Sequence, residues 1–305
     1  MVSAWAAERQ PAKATRSKYG QAFAALAAVA GHDDAKRIGV PDIQRFKEAR
    51  QANGRHPKTI KNDVEAIGTV FTWAITNALL DGSNPAARMA PRLGRGQVSS
   101  RDGYTDEEAR TILLAAREET GWKRWLPWLL AFTGARIGEI ADMQCADVRQ
   151  DAGVWVLDVR PERQLKTENA ARMLPIHPAV QAEGFLDYVA GLPAAGPLFP
   201  DIRAGRDGRR TAYATTKHGQ WLRTKAGVTG ARKAPAHSWR HRMEDELRKV
   251  RALPEVQDAI TGRKNARNAG AGYGRGFRAM PAETLKELAR VPSPVPPGVA
   301  QRPGP

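Results

Sequence analysis

The 305-residue chain is 42% hydrophobic, enough for about two globular domains that need no covalent staples. Its 48 Lys/Arg against 32 Asp/Glu give a net charge of +16, which favours a polyanionic partner. One cysteine, Cys145, excludes an internal disulfide and fits a reducing cytoplasm, and the most apolar stretch, Trp125 to Ala131, is far too short to span a bilayer.

Residues 1–87 read as helical. Pro11 to Ala30 is alanine-rich, with Phe23, Leu26 and Ala30 at helical spacing and Gly31 as its stop. Pro41 to Ala52 places Ile43, Phe46 and Ala49 on one face and ends at Asn53-Gly54. Pro57 to Leu80 carries the continuous apolar stripe Ile60, Val64, Ile67, Val70, Phe71, Ala74 and Ile75, which reads as the core of a helical bundle. Its end is signalled by Asp81-Gly82-Ser83-Asn84-Pro85. Arg45, Lys47, Arg50, Lys58 and Lys61 read as solvent-facing charges with the chemistry to touch phosphates.

Residues 88–103 hold Arg88, Arg92, Arg95 and Arg101 among glycines and lack periodicity, so they read as a basic linker. A second domain begins near Tyr104. Thr105 to Glu108 is a capping box, Trp122 to Phe132 is an apolar helix with a kink expected at Pro127, and Val154 to Val159 with Arg172 to Ile176 reads as a hairpin or small sheet. Pro178 to Ala190 is helical, Pro193 to Arg210 a loop, and His237 to Val250 a helix that buries Trp239, Met243, Leu247 and Val250. The stretch from Pro292 to Pro305 has six prolines in 14 residues, a composition expected to be disordered. The charge is uneven: residues 202–275 carry 18 Lys/Arg against 6 Asp/Glu, while residues 1–87 carry 12 against 8.

Several residues in the second domain carry chemistry. Arg136 follows Thr133-Gly134-Ala135, small residues that let a phosphate approach the backbone, and Glu139 is placed to hold its guanidinium. His237 and Arg240 project from one helix face. His237 and His241 also have the spacing of a zinc pair, but no third ligand or cysteine set accompanies them. Lys166 lies in the turn between the two expected strands, where a flexible ammonium suits proton delivery; Arg163 is a poorer acid. Tyr273 sits in Gly270-Ala271-Gly272-Tyr273-Gly274, a glycine-rich, basic setting that favours a phenolate and packs poorly as core.

Thr133 to Ile140, the His237-Ser238-Trp239-Arg240 string, Lys166-Thr167 before Arg172 to Ile176, and the late Tyr273 resemble, in order and spacing, the tyrosine recombinases of the phage-integrase type. The resemblance covers residues from about 13 to 290. It implies a mainly α fold with a small β-sheet: a helical core-binding domain over 1–87, the linker over 88–103, a mixed α/β catalytic domain over 104–291 and the tail over 292–305. No N-terminal arm-binding domain is expected within these residues.

The resemblance also implies a reaction. Arg136 and Arg240 neutralise a scissile phosphate, His237 assists Tyr273, Tyr273 attacks to give a 3′-phosphotyrosyl link, and Lys166 protonates the leaving 5′-oxygen. No metal or other cofactor enters. The implied partners are double-stranded DNA attachment sites, three further copies of the chain in a tetramer on DNA, and accessory DNA-bending proteins, with no membrane. One position departs from the pattern. Where the family has Gly-His or Gly-Trp shortly before the nucleophile, this chain has Gly262-Arg263, with Arg263 ten residues before Tyr273. Arginine also donates to phosphate, so Arg263 is counted with the site, and Lys264 is its neighbour and competitor. Two alternatives remain at this stage: a relative that binds DNA without cutting it, and a type IB topoisomerase-like enzyme that cleaves without exchanging partners.

The basic surface implies many phosphate contacts. Affinity for duplex DNA is expected to fall steeply with salt, with a log–log slope of magnitude on the order of 5 to 10; a nearly flat dependence in a fluorescence-anisotropy titration would contradict the reading.

Overall fold

A computed structural model describes residues 1–94, 101–160, 171–230, 232–263 and 276–297. The chain divides into two compact units, Met1–Ser99 and Ser100–Pro305.

Among its described residues the first unit has four α-helices: α1 (Val2–Arg9), α2 (Lys13–Ala30), α3 (Val40–Ala52) and α4 (Pro57–Thr76). The stripe on α4 organises it. Ile60, Val64, Ile67 and Phe71 bury against Leu26 of α2 and Ile43 and Phe46 of α3, while Val70, Trp73 and Ala74 pack with Trp5 of α1. Gly31 and Gly54 adopt the left-handed backbone expected of helix stops. Two details differ from the sequence reading. Helix α4 ends at Thr76, short of Leu80, because the Asn77 side-chain amide takes the Trp73 carbonyl and Ala78 turns left-handed. Arg50 is not a free surface charge: its Nη2 lies 2.5 Å from Asp63 of α4.

Near the start of the second unit, the Tyr104 ring lies edge-on to Trp239 in the core. Helix α5 (Asp106–Arg117) opens with the reciprocal Thr105–Glu108 box, and α6 (Gly121–Thr133) runs through Pro127 without interruption. Then come the short α7 (Ile137–Ala141) and the antiparallel strands β1 (Val148–Asp151), β2 (Val154–Val159) and β3 (Arg172–Pro175), ordered β1-β2-β3. The expected hairpin is β2–β3, with Val159 opposite Arg172. Strand β1 was not foreseen: four residues joined to β2 by the tight turn Ala152-Gly153 are too short to show a period.

The expected helix over 178–190 is two, α8 (Pro178–Ala182) and α9 (Phe185–Ala190), because Gly184 turns left-handed between them. The loop leads to α10 (Thr211–Thr224), then α11 (His237–Lys249), α12 (Pro254–Thr261) and α13 (Pro281–Leu288). Helices α10, α12 and α13 had escaped the sequence reading. Helices α12 and α13 are eight residues each, about two turns and too short to repeat a stripe, and α10 buries few large apolar residues besides Trp221 and Leu222. The stretch assigned to a disordered tail is packed at its start: Val295 is buried in the core, and the Pro296 carbonyl accepts from Arg117. Among the described residues no helix is long and apolar enough to cross a membrane.

The α6–α7 turn is held by Gly134. Its φ is +58°, and an added Cβ would lie 2.9 Å from both Cβ and Cγ of Met243 on α11. Gly134→Ala therefore combines left-handed strain with overpacking, a loss of about 2–4 kcal/mol. Gly153, left-handed but with open space around it, is the control in which strain acts alone. Calorimetry should show Gly134→Ala melting several degrees below Gly153→Ala; equal melting temperatures would refute the close approach.

Candidate active site

The site begins where α6 stops. The Thr133 hydroxyl donates to the Leu129 carbonyl and accepts the Ala135 N–H, closing the helix end before the Gly134 turn. Arg136 then becomes the N-cap of α7. Glu139, one turn on, accepts the Arg136 backbone N–H at 2.9 Å and its Nη1 at 2.7 Å. One carboxylate thus starts the helix and aims the guanidinium, which keeps 33% of its side chain exposed.

The same carboxylate holds a second arginine. Arg172, at the start of β3, has a wholly buried side chain whose Nη2 donates to Glu139 Oε2 at 2.9 Å and whose Nε donates to the Ile260 carbonyl of α12 at 3.0 Å. Burial alone would raise the Glu139 pKa; the charge and hydrogen bond of Arg172, then the hydrogen bonds from Arg136, outweigh it and hold the carboxyl below its ordinary value.

Helix α11 supplies the facing wall. Arg240 is buried, and its Nη1 donates to the Gly134 carbonyl at 3.1 Å, beside the Arg136 turn. Desolvation, then the charges of Arg136 and Arg172, push its pKa down to about 10, so it stays protonated at neutral pH. His237 stands one turn earlier, at the solvent rim. Partial desolvation and then the charges of His241, Arg240, Arg101 and Arg136 push its imidazole down to about 4. A neutral imidazole at pH 7 can accept a proton. The His241 ring lies 4.9 Å from that of His237, at right angles, and among the described residues no metal-holding group of three or more ligands occurs.

Arg263 follows Gly262, the left-handed end of α12. A Cβ at Gly262 would meet the Arg172 guanidinium at 2.9 Å, so only glycine lets α12 end there. The Arg263 side chain reaches Glu244 of α11, Nη2 to Oε1 2.7 Å, and Arg278 donates to the Arg263 carbonyl at 2.6 Å.

Four of the six residues singled out in the sequence, Arg136, His237, Arg240 and Arg263, are therefore gathered in one place. Lys166 and Tyr273, with their competitors Arg163 and Lys264, lie outside the described residues. Their described flanks lead to the site: β3 begins with Arg172, and Arg278 ties Arg263 to the chain that resumes at Gly276. Sequence reasoning missed Arg172 and Glu244. A charged residue opening an apolar strand marked the first, and the four-residue spacing from Arg240 marked the second.

No family model matches the chain. Three curated relatives, each named tyrosine recombinase XerC, from three strains of Xanthomonas campestris pv. campestris, are 25% identical over 151 residues. The match takes in 48% of this chain, which spans about half the length of those relatives, 46%. Solved structures with similar architecture include the Tn1549 transposon integrase in complex with a circular intermediate DNA (TM-score 0.65, 16% identity, 93% of this chain and 97% of that one). They also include a lambda integrase dimer bound to a core site (0.63, 18%, 85% and 91%) and a lambda integrase tetramer bound to a Holliday junction (0.64, 17%, 88% and 76%).

The chain has the tyrosine recombinase fold. The family resemblance read from its sequence holds, and within this recombinase fold the two arginine motifs, far apart in sequence, meet at the Gly134 carbonyl.

The charge environment of His237 gives a direct measurement. In the free protein its NMR titration should fall well below 6.5, and saturation with duplex DNA should move it upward, because a phosphate entering the arginine cluster offsets the positive field. A His237 titration unchanged by DNA would place the phosphates elsewhere.

Proposed function

We propose that the chain is a site-specific DNA recombinase that cleaves and rejoins duplex DNA through a 3′-phosphotyrosyl intermediate. The observation that carries this reading is the convergence of Arg136 and Arg240 at one turn, backed by Arg172 and Arg263, with a neutral His237 at the rim. Guanidinium forks match the oxygens of a phosphodiester, and a partly desolvated cluster of them stabilises the charge that develops on attack.

In this reaction the Tyr273 oxygen bonds to phosphorus as the bond from phosphorus to the 5′-oxygen breaks. His237 takes the phenolic proton and Lys166 supplies one to the departing oxygen. Attack of a 5′-hydroxyl on the phosphotyrosine reverses the step and reseals a strand, so the bond energy is kept and no nucleotide triphosphate is consumed. Arg136 and Arg240 hold the two non-bridging oxygens throughout. The lambda integrase tetramer bound to a Holliday junction supports an assembly of four copies of this chain on DNA; accessory DNA-bending proteins belong to the same proposal.

Suicide duplexes, which trap the covalent stage, test the reading. Tyr273→Phe should abolish the adduct and leave DNA affinity nearly intact. Arg136→Ala and Arg240→Ala should each slow adduct formation by about 10² to 10³ with folding preserved. Adducts that persist in the phenylalanine variant would mean that another residue attacks. Parent protein that binds DNA but never forms an adduct would favour a binding-only relative. Supercoil relaxation without site dependence would favour a topoisomerase.

A further inference from the structure

Arg263 has a partner that the family pattern did not suggest. Glu244 lies on α11, one turn after Arg240, and is buried. Its Oε1 is 2.7 Å from Arg263 Nη2 and 3.8 Å from Arg240 Nε, and its Oε2 is 3.9 Å from Arg248 Nη2. Although Oε1 is buried, none of these contacts has the alignment of a hydrogen bond to it. The attraction is ionic, and Arg263 keeps 50% of its side chain exposed.

The backbone that carries Arg263 is fixed at both ends. Its N–H donates to the Asp258 carbonyl, its own carbonyl takes Arg278, and Gly262 is wedged against Arg172. The site thus contains two carboxylate-bridged arginine pairs, Arg136–Glu139–Arg172 and Arg240–Glu244–Arg263. Four arginines against two carboxylates leave a net +2, suited to a phosphodiester that gains a second negative charge when a phenolate attacks it.

We propose that Glu244 is a positioning residue that holds the Arg263 guanidinium beside Arg240, so that both address one phosphate, while its charge limits the repulsion between them. The inference rests on the proposed reaction for its catalytic consequence, but the pairing itself is measurable without catalysis. Its signature is a split. Glu244→Gln removes a negative charge from a DNA-facing site, so duplex affinity stays the same or rises. Cleavage at saturating DNA falls about tenfold to a hundredfold, because a guanidinium is released from its aim. A merely structural residue would lower the melting temperature and both activities together.

The experiment compares the parent, Glu244→Gln, Arg263→Ala and the double variant. It uses a nicked suicide duplex selected from random-sequence DNA by covalent trapping with the parent. Single-turnover cleavage, affinity and melting temperature are measured together with arginine side-chain NMR in the absence and presence of a random-sequence duplex. Both single variants should lose cleavage to a similar extent and the double variant no more than either. The Arg263 guanidinium should show restricted rotation in the parent and free rotation in Glu244→Gln. Multiplicative losses, or a freely rotating Arg263 in the parent, overturn the proposal. If Glu244→Gln fails to fold, Glu244→Asp replaces it, and a cleavage rate between parent and Arg263→Ala is expected; a rate equal to the parent's with Arg263 freed overturns it. If the parent traps no adduct on any duplex, the proposed reaction fails by itself. The NMR comparison then still decides the pairing: a DNA-induced shift of Arg263 lost in Glu244→Gln sustains it, and a shift retained overturns it.

Discussion

The buried carboxylate of Glu139 is the constraint on which the site depends. Arg172 has no solvent to hydrate it, and an unpaired charge in that position would be severely destabilising. Glu139 offsets that charge and at the same moment caps α7 and aims Arg136. Through Arg172 it also joins β3 to the end of α12, where Arg263 emerges. The sheet, the short helix and the helix end that carries Arg263 therefore share one electrostatic joint, and the partly exposed Arg136 gains rigidity from a structural ion pair.

The second wall is set by packing. Trp239, Met243 and Leu247 anchor α11 in the core, so His237 and Arg240 project from a helix that cannot rotate. Met243 presses on Gly134, and Arg240 donates to the carbonyl of that same glycine. Close approach without a side chain is what brings the two arginine motifs together. Desolvation, and after it the crowding of like charge, lowers the proton affinity of both Arg240 and His237.

The first unit shows how far a charge count carries. Its helices match the apolar stripes closely, yet Arg50, read as a surface charge, is committed to Asp63. A residue's sign is visible in sequence; whether that charge is already balanced depends on which helix packs beside it.

The sequence by itself determined the helical first unit, the Thr105 capping box, the β2–β3 hairpin and the grouping of Arg136 with Glu139. All of these are local: a period, a cap or a partner within one turn settles them. Short elements with sparse apolar faces, β1, α10, α12 and α13, escaped because their stability comes from neighbours distant in the chain. The meeting of Arg240 with the Gly134 turn, the burial of Arg172 on Glu139 and the pairing of Arg263 with Glu244 were decided only by the tertiary structure. Each joins residues from separate elements, and a guanidinium finds its carboxylate only after the core has fixed where those elements lie.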